Sequence, residues 1–325
     1  MDEKKITRLV IRFIRSELIG KALQKLFFGL LLLCTGHTGF ATSFPLPPRG
    51  TDIVGRIRIV SAKPEDTLLD IARRYDLGYN EITEANPDVD PWLPGAGTRI
   101  VLPTQFILPD APRRGIVLNL AAMRLYYYPV PRVGETPRVI TYPIGIGRIM
   151  WETPLVNTRI KDKIVNPAWH IPASIRAEHA KEGVILSEVV APGPDNPLGK
   201  YAMPLGIAGY LIHGTDRPYG IGRRVSHGCI HLYPEDIERL FRKVPIGTRV
   251  RIVNQPYLAG WLDGHLYLEA HKPLQEDNWS GSLTPMVRAI LAKAPSFPIN
   301  WEKATRVAEQ ARSIPVRVSP ADSHR

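Results

Sequence analysis

"IHGTDRPYGIGRRVSHGCIHLYPEDIE", residues 212–238, gathers His213, Ser226, His227, Gly228, Cys229 and His231 in one short stretch. Cysteine is otherwise nearly absent: the 325 residues contain two, Cys34 and Cys229. Gly228 lets backbone approach a reacting group without a side chain in the way. If Cys229 opens a structural element, the amides of Gly228 and Cys229 converge as an oxyanion hole. A free thiol has a pKa of ~8.5, which a neighbouring imidazole lowers toward the thiolate. His213 reaches Cys229 if two adjacent strands fold back on each other, and a Cys–His pair is the activated nucleophile of acyl transfer. His227 is the alternative base, with the Gly214 carbonyl or the Ser226 hydroxyl orienting the imidazoles. His227, Cys229 and His231 also alternate, so on an extended strand they point one way and, with His213, make four zinc ligands. The common zinc spacings are absent, however. A merely buried cysteine fits least well among Ser, His and Gly.

Upstream, seven basic residues between Lys4 and Lys25 precede the apolar run "LFFGLLLLC", residues 26–34, with small residues at Gly39 and Ala41. This pattern predicts a secretory signal peptide over residues 1–41. The run is shorter than the ~20 residues that span a bilayer. Cleavage removes Cys34 and lowers the formal net charge from +11 to +7. Exported proteins use cysteines in disulfide pairs, so a lone Cys229 is a working thiol or an intermolecular link. Modest basicity suits an anionic cell envelope. The basic residues are scattered without aromatic interleaving, which argues against nucleic acid.

The rest of the chain reads as short elements. Hydrophobic content of 44% with 22% charged residues is that of a soluble globular protein. The 31 prolines favour loops and short strands. Over residues 56–103, "IRIV" and "TRIVLP" predict strands. Thr67 and Asp70 form a capping box ahead of Leu68, Ile71, Ala72 and Tyr75, which share a helical face. Asn80 caps a second short helix that Pro87 ends. From Gly115, "IVLNLAAMRLYYY" predicts a β-hairpin turning at Ala121–Met123. "RVITYPIGIG" and "TRVRIV" add strands, and helices are predicted over 172–183 and 234–244. Residues 254–325 form an extension with helices near 283–293 and 300–312.

The segment around Cys229 resembles the active site of the YkuD-type L,D-transpeptidases, in which a histidine precedes an S-H-G-C motif. "YPIGIGRIMWETP" (142–154), "NPAWHIP" (166–172) and "NPLG" (196–199) match the same family. More narrowly, the chain is similar to the ErfK/YbiS-like enzymes of Gram-negative envelopes. "DTLLDIARRY", "ITEANP" and "RIVLP" resemble a LysM glycan-binding module.

The resemblance implies a mostly-β fold: a β-sandwich or barrel catalytic domain over 114–253 with one or two helices, plus a small α+β LysM-like domain. It implies a periplasmic enzyme acting on peptidoglycan stem tetrapeptides. Cys229 attacks the carbonyl joining diaminopimelate to the terminal D-alanine, D-alanine leaves, and an amine resolves the thioester. That amine belongs to a second stem peptide or to a lysine of an outer-membrane lipoprotein. No metal or other cofactor is needed. Cys229, His213 and His227 are the expected catalytic residues, with Gly228, Ser226 and Gly214 supporting them. Arg224, His231 and Tyr219 are the expected substrate contacts. The family usually has Arg or Asn at the position of His231, and glycine at that of Val156. "PED" (64–66) replaces a glycine-bearing turn in the LysM-like segment. A thiol amidase with water as acceptor and an inert wall-binding protein are the alternatives.

Overall fold

The tyrosine-rich run after Gly115 organises the molecule. In the computed structural model, which describes residues 42–274 and 281–320, this run forms the antiparallel strands Gly115–Asn119 and Arg124–Tyr128. Met123, with φ +47°, closes the turn between them. The predicted leader, residues 1–41, lies outside the described residues. Arg138–Pro143 pairs with the second strand and Thr42–Pro45 with Arg138–Pro143, while Arg249–Val253 lies parallel to the first strand. With Asn157–Arg159 at the far edge they make a six-stranded sheet.

All of Arg124–Tyr128 is buried because the sheet is covered on both faces. Side chains alternate across a strand. Leu125 and Tyr127 therefore join Ile116, Leu118, Ile140 and Tyr142 in one core. Tyr126 and Tyr128 join Val117, Val139, Leu68, Ile71 and Ile82 in another. Each aliphatic side chain buried this fully stabilises the fold by about 1.5–3 kcal/mol. Val156, at a position where the resemblance implies glycine, packs against the first core.

The second core belongs to the N-terminal module. Its strands Arg58–Ser61 and Arg99–Leu102 pair antiparallel around helices α1 (Leu68–Arg74) and α2 (Tyr79–Ala85). The Thr67–Asp70 capping box forms as predicted. The cap of α2 differs from expectation: it is Gly78, not Asn80, because Glu81 reaches back to accept the Gly78 N–H at 2.7 Å. Asn80 sits inside the first turn. The "PED" turn closes without glycine, since the Asp66 carboxylate accepts from Lys63 N–H at 3.0 Å and pairs with Arg74.

Against the first core lies a four-stranded sheet in the order Ile164–Val165, Tyr201–Pro204, Leu211–His213, Ile230–His231. Its last two strands are parallel, in the register His213 opposite His231. Helix α3 (Ala173–Lys181) stands in a mostly exposed excursion, and α4 (Pro234–Lys243) buries Ile237 and Leu240. The C-terminal extension pairs Tyr257–Leu262 with His265–Ala270 and adds Val316–Arg317. Helices α5 (Thr284–Lys293) and α6 (Trp301–Gln310) pack Met286, Ile290 and Ala304 on that hairpin.

Candidate active site

The parallel pairing of Leu211–His213 with Ile230–His231 brings the two ends of the motif together. His213 and His231 face each other with ring centroids 4.5 Å apart. Cys229 immediately precedes the second of these strands, next to Ile230. The sulfur lies 3.6 Å from the Gly209 carbonyl oxygen and against the Leu211 amide.

His213 is 2% exposed, and its Nδ1 lies 2.7 Å from the Gly214 carbonyl oxygen. A carbonyl only accepts, so Nδ1 carries the hydrogen and Nε2 of the neutral ring keeps the basic lone pair. Burial pulls the imidazole down to about 4, against the opposing pull of the Gly214 and Leu198 carbonyls. His231 is held well below the ordinary range, by burial first and then by the imidazoles of His213 and His227.

The expected lowering of the thiol is not found. Burial pushes Cys229 up to about 11, with only the Leu211 amide opposing. Thiol and imidazole are therefore both neutral near pH 7, because desolvation penalises the charged form of each.

Gly228 shapes the turn before Cys229. Its φ is +100°, and a Cβ there would meet Tyr210 Cε1 at 2.8 Å. The same conformation breaks the strand, so His227 does not line up with Cys229 and His231 as alternation predicted. The turn is bracketed by hydroxyls: Ser226 Oγ donates to the Cys229 carbonyl at 2.6 Å and accepts the Gly228 N–H at 3.1 Å. Thr153 Oγ1 donates to the Gly228 carbonyl at 2.8 Å. The Gly228 amide is thus engaged within the turn.

His227 reaches α3 instead. Its Nε2 lies 2.8 Å from Glu178 Oε2, which also accepts from Arg148 at 2.6 Å, while Trp151 Nε1 donates to the other oxygen at 3.2 Å. The bond from His227, helped by Arg148 and Trp151, holds the Glu178 carboxyl down to about 2. Trp151 meets the His227 ring edge to face at 4.8 Å.

Arg224 Nε donates to the Gly147 carbonyl at 3.1 Å, and Tyr219 is exposed on the turn Pro218–Gly220. Gly214 also borders a cavity of about 320 Å³ that Asn166, Lys200 and Thr215 help to line. Among the described residues, no group of three or more His, Cys, Asp or Glu is placed to hold a metal.

Sequence reasoning missed Thr153 and Glu178. Thr153 sits in the "WETP" match and could have been found there. Glu178 lies on a polar helix and carries no signal of its own.

The L,D-transpeptidase catalytic domain model of the YkuD type matches residues 113–252, and the LysM domain model matches residues 61–103. The chain is 40% identical over 305 residues to the probable L,D-transpeptidase ErfK/SrfK of Salmonella typhimurium, covering 90% of this chain and 96% of that protein. It is 43% identical over 258 residues to the probable L,D-transpeptidase YbiS of Escherichia coli K12, covering 78% and 82%. Against the probable L,D-transpeptidase YcfS of the same strain it is 43% identical over 242 residues, covering 73% and 74%. With such identity along nearly the whole of a relative, the chain belongs to the YkuD-type L,D-transpeptidase family.

Proposed function

We propose that this enzyme is exported to the periplasm and exchanges the terminal D-alanine of peptidoglycan stem tetrapeptides for an acceptor amine, through a thioester on Cys229. The observation that carries this reading is the His213 tautomer: Nδ1 is tied to the Gly214 carbonyl, which leaves Nε2 basic on the strand that pairs with the one Cys229 leads into.

Starting from a neutral thiol and a neutral imidazole, His213 Nε2 takes the S–H proton as the sulfur attacks the diaminopimelate carbonyl. The Cys229 amide supports the oxyanion, while Ser226 and Thr153 hold the turn that aims it. The proton passes to the nitrogen of D-alanine as the C–N bond breaks, and the acyl group remains as a thioester. The acceptor amine then gives a proton to His213, attacks the thioester, and the departing sulfur regains that proton. His213 serves as the base rather than His227, whose Nε2 is engaged by Glu178 at 2.8 Å and Arg148 at 2.9 Å. Every proton and electron pair is accounted for without a metal or cofactor. The acceptor is the amine of a second stem peptide or the lysine of an outer-membrane lipoprotein, and Arg224, His231 and Tyr219 are the residues that the family resemblance assigns to the stem peptide.

The test is incubation of the full-length protein with tetrapeptide muropeptides, alone and with a lysine-ended lipoprotein peptide, with products read by mass. Loss of D-alanine together with a new amide is expected, and Cys229→Ser should abolish both. Tripeptide as the sole product would replace transfer by hydrolysis. Wild-type function in Cys229→Ala would reduce the chain to a wall-binding protein.

A further inference from the structure

The LysM domain is joined to the catalytic domain by more than a linker. Glu81 on α2 forms a buried pair with Arg124 of the central sheet, Oε2 to Nη2 at 2.8 Å. Arg124 Nη2 also donates to the Asp76 carbonyl at 2.8 Å, and Tyr233 Oη donates to the Leu77 carbonyl at 3.1 Å. Arg73 on α1 forks onto Glu235 of α4, at 2.8 and 2.9 Å.

The closest approach is at the backbone leading into the nucleophile strand. The first amides of α2 bond to that backbone: Tyr79 N–H to the Ile221 carbonyl at 3.0 Å, and Asn80 N–H to the Gly222 carbonyl at 3.2 Å. Two glycines make this possible. A Cβ on Gly78 would lie 2.7 Å from Gly222 Cα, and one on Gly222 would lie 2.2 Å from Tyr79 N. The Arg223 guanidinium sits 3.5 Å over the Tyr79 ring. From there the chain is tied directly into the site. Gly222 N–H donates to the Ile144 carbonyl, the Arg223 carbonyl accepts from Ile146, and Arg224–Ser226 pairs with Ile146–Gly147.

We propose that the first turn of α2 is a positioning element of the active site. It fixes the backbone at 221–223, and through the strand that follows it sets the aim of Cys229. The LysM domain therefore governs turnover even of a substrate that carries no glycan. The turnover arm of this inference rests on the proposed function; the thiol arm below does not.

Gly78→Ala is the decisive variant. Gly78 has an ordinary φ of −90°, so alanine brings no backbone strain there and acts only as a wedge against Gly222. Misplacement of a reacting group by ~1 Å costs on the order of 10²-fold in rate. In the full-length protein, kcat on a soluble, glycan-free tetrapeptide should fall at least ~10-fold with KM little changed. The rate of Cys229 alkylation by iodoacetamide, followed by peptide mass, should shift with it. Leu93→Ser, on the exposed surface of the same domain, should leave both at wild-type values. Tyr79→Phe keeps the ring beneath Arg223 and should match wild type, whereas Tyr79→Ala should lose kcat.

A folded Gly78→Ala protein with wild-type kcat and alkylation rate overturns the inference, as does a defect confined to glycan-bearing substrate. If Gly78→Ala does not fold, the Tyr79 pair decides, and identical behaviour of Tyr79→Ala and Tyr79→Phe refutes it. If wild type does not turn over the tetrapeptide, the proposed function fails while alkylation still decides the coupling.

Discussion

A protonated resting thiol has a measurable signature. With the Cys229 thiol at about 11, the thiolate fraction at pH 7 is about 10⁻⁴, against about 3% for a free thiol of pKa ~8.5. On population alone, alkylation should be about 300-fold slower than that of a free cysteine. A more basic thiolate is intrinsically more nucleophilic, with a Brønsted slope of ~0.4–0.5, which returns about 10-fold. The net expectation is a reaction about 30-fold slower, whose logarithm climbs with unit slope from pH 6 toward 10. His213→Ala should leave alkylation at pH 7 nearly unchanged, since the neutral imidazole does not generate thiolate in the resting enzyme. The same variant should lose at least about 10²-fold in turnover, the contribution of a general base. Iodoacetamide kinetics with mass detection of the Cys229 peptide, measured from pH 5 to 10, reads all of this. A rate that levels off by pH 7, or a His213→Ala variant whose alkylation collapses with its turnover, would establish a preformed thiolate–imidazolium pair and refute the reasoning.

Three further outcomes follow from other sites. Arg124→Met should cost about 3–5 kcal/mol in urea unfolding, because it leaves the buried Glu81 carboxylate without its partner. Burial raises Asp76 from 3.8 to about 6, against the pull of Arg124 and of the Thr42 hydroxyl. The folded state therefore holds the extra proton between these values, and the contribution of Asp76 to stability falls as pH rises from about 4 to 6, opposite in sign to that of the depressed His213. Asp76→Asn, which tolerates the left-handed φ of +57°, should flatten that slope and raise Tm at pH 8 relative to wild type. Glu178→Ala removes the carboxylate shared by His227, Arg148 and Trp151. Amide exchange across α3 should quicken while that of the central sheet stays unchanged, and an unaltered α3 would show that its few apolar contacts suffice.

What the sequence made legible was local. The Thr67–Asp70 box, the hairpin around Met123 and the helix after Pro234 each carry their signal within four or five residues, and each formed. Gly78 illustrates the failure of local reading: a glycine has no side chain to announce a cap, and the bond is made by Glu81 three residues on. The thiol expectation failed for a different reason. Proximity of Cys229 and His213 predicts a lowered thiol only if the pair stays solvated, and burial is a property of the packed sheets rather than of the motif. His227 leaves the alternating set because Gly228, with a φ of +100°, ends the strand, and a glycine's conformation is not written in its neighbours. Glu178 and the α2 contact with residues 221–222 join segments far apart in the chain, and nothing in either segment alone encodes the other.

On the proposed export, the raised thiol also bears on how Cys229 survives in an oxidising compartment. Oxidation to sulfenic acid and capture by other thiols both proceed through the thiolate. A nucleophile activated in advance, at the low end of the cysteine range, would be exposed to these reactions between turnovers. On the proposed mechanism, Cys229 avoids this by resting as a partly buried thiol, with the neutral imidazole of His213 as its base. Activation then occurs only when a carbonyl is present to accept the electron pair, because proton transfer to His213 without bond formation would place two charges in a desolvated site. Burial of the pair thus supplies selectivity as well as protection, and it makes the base indispensable. An exposed thiol of ordinary pKa would still acylate slowly without His213, whereas this one should not.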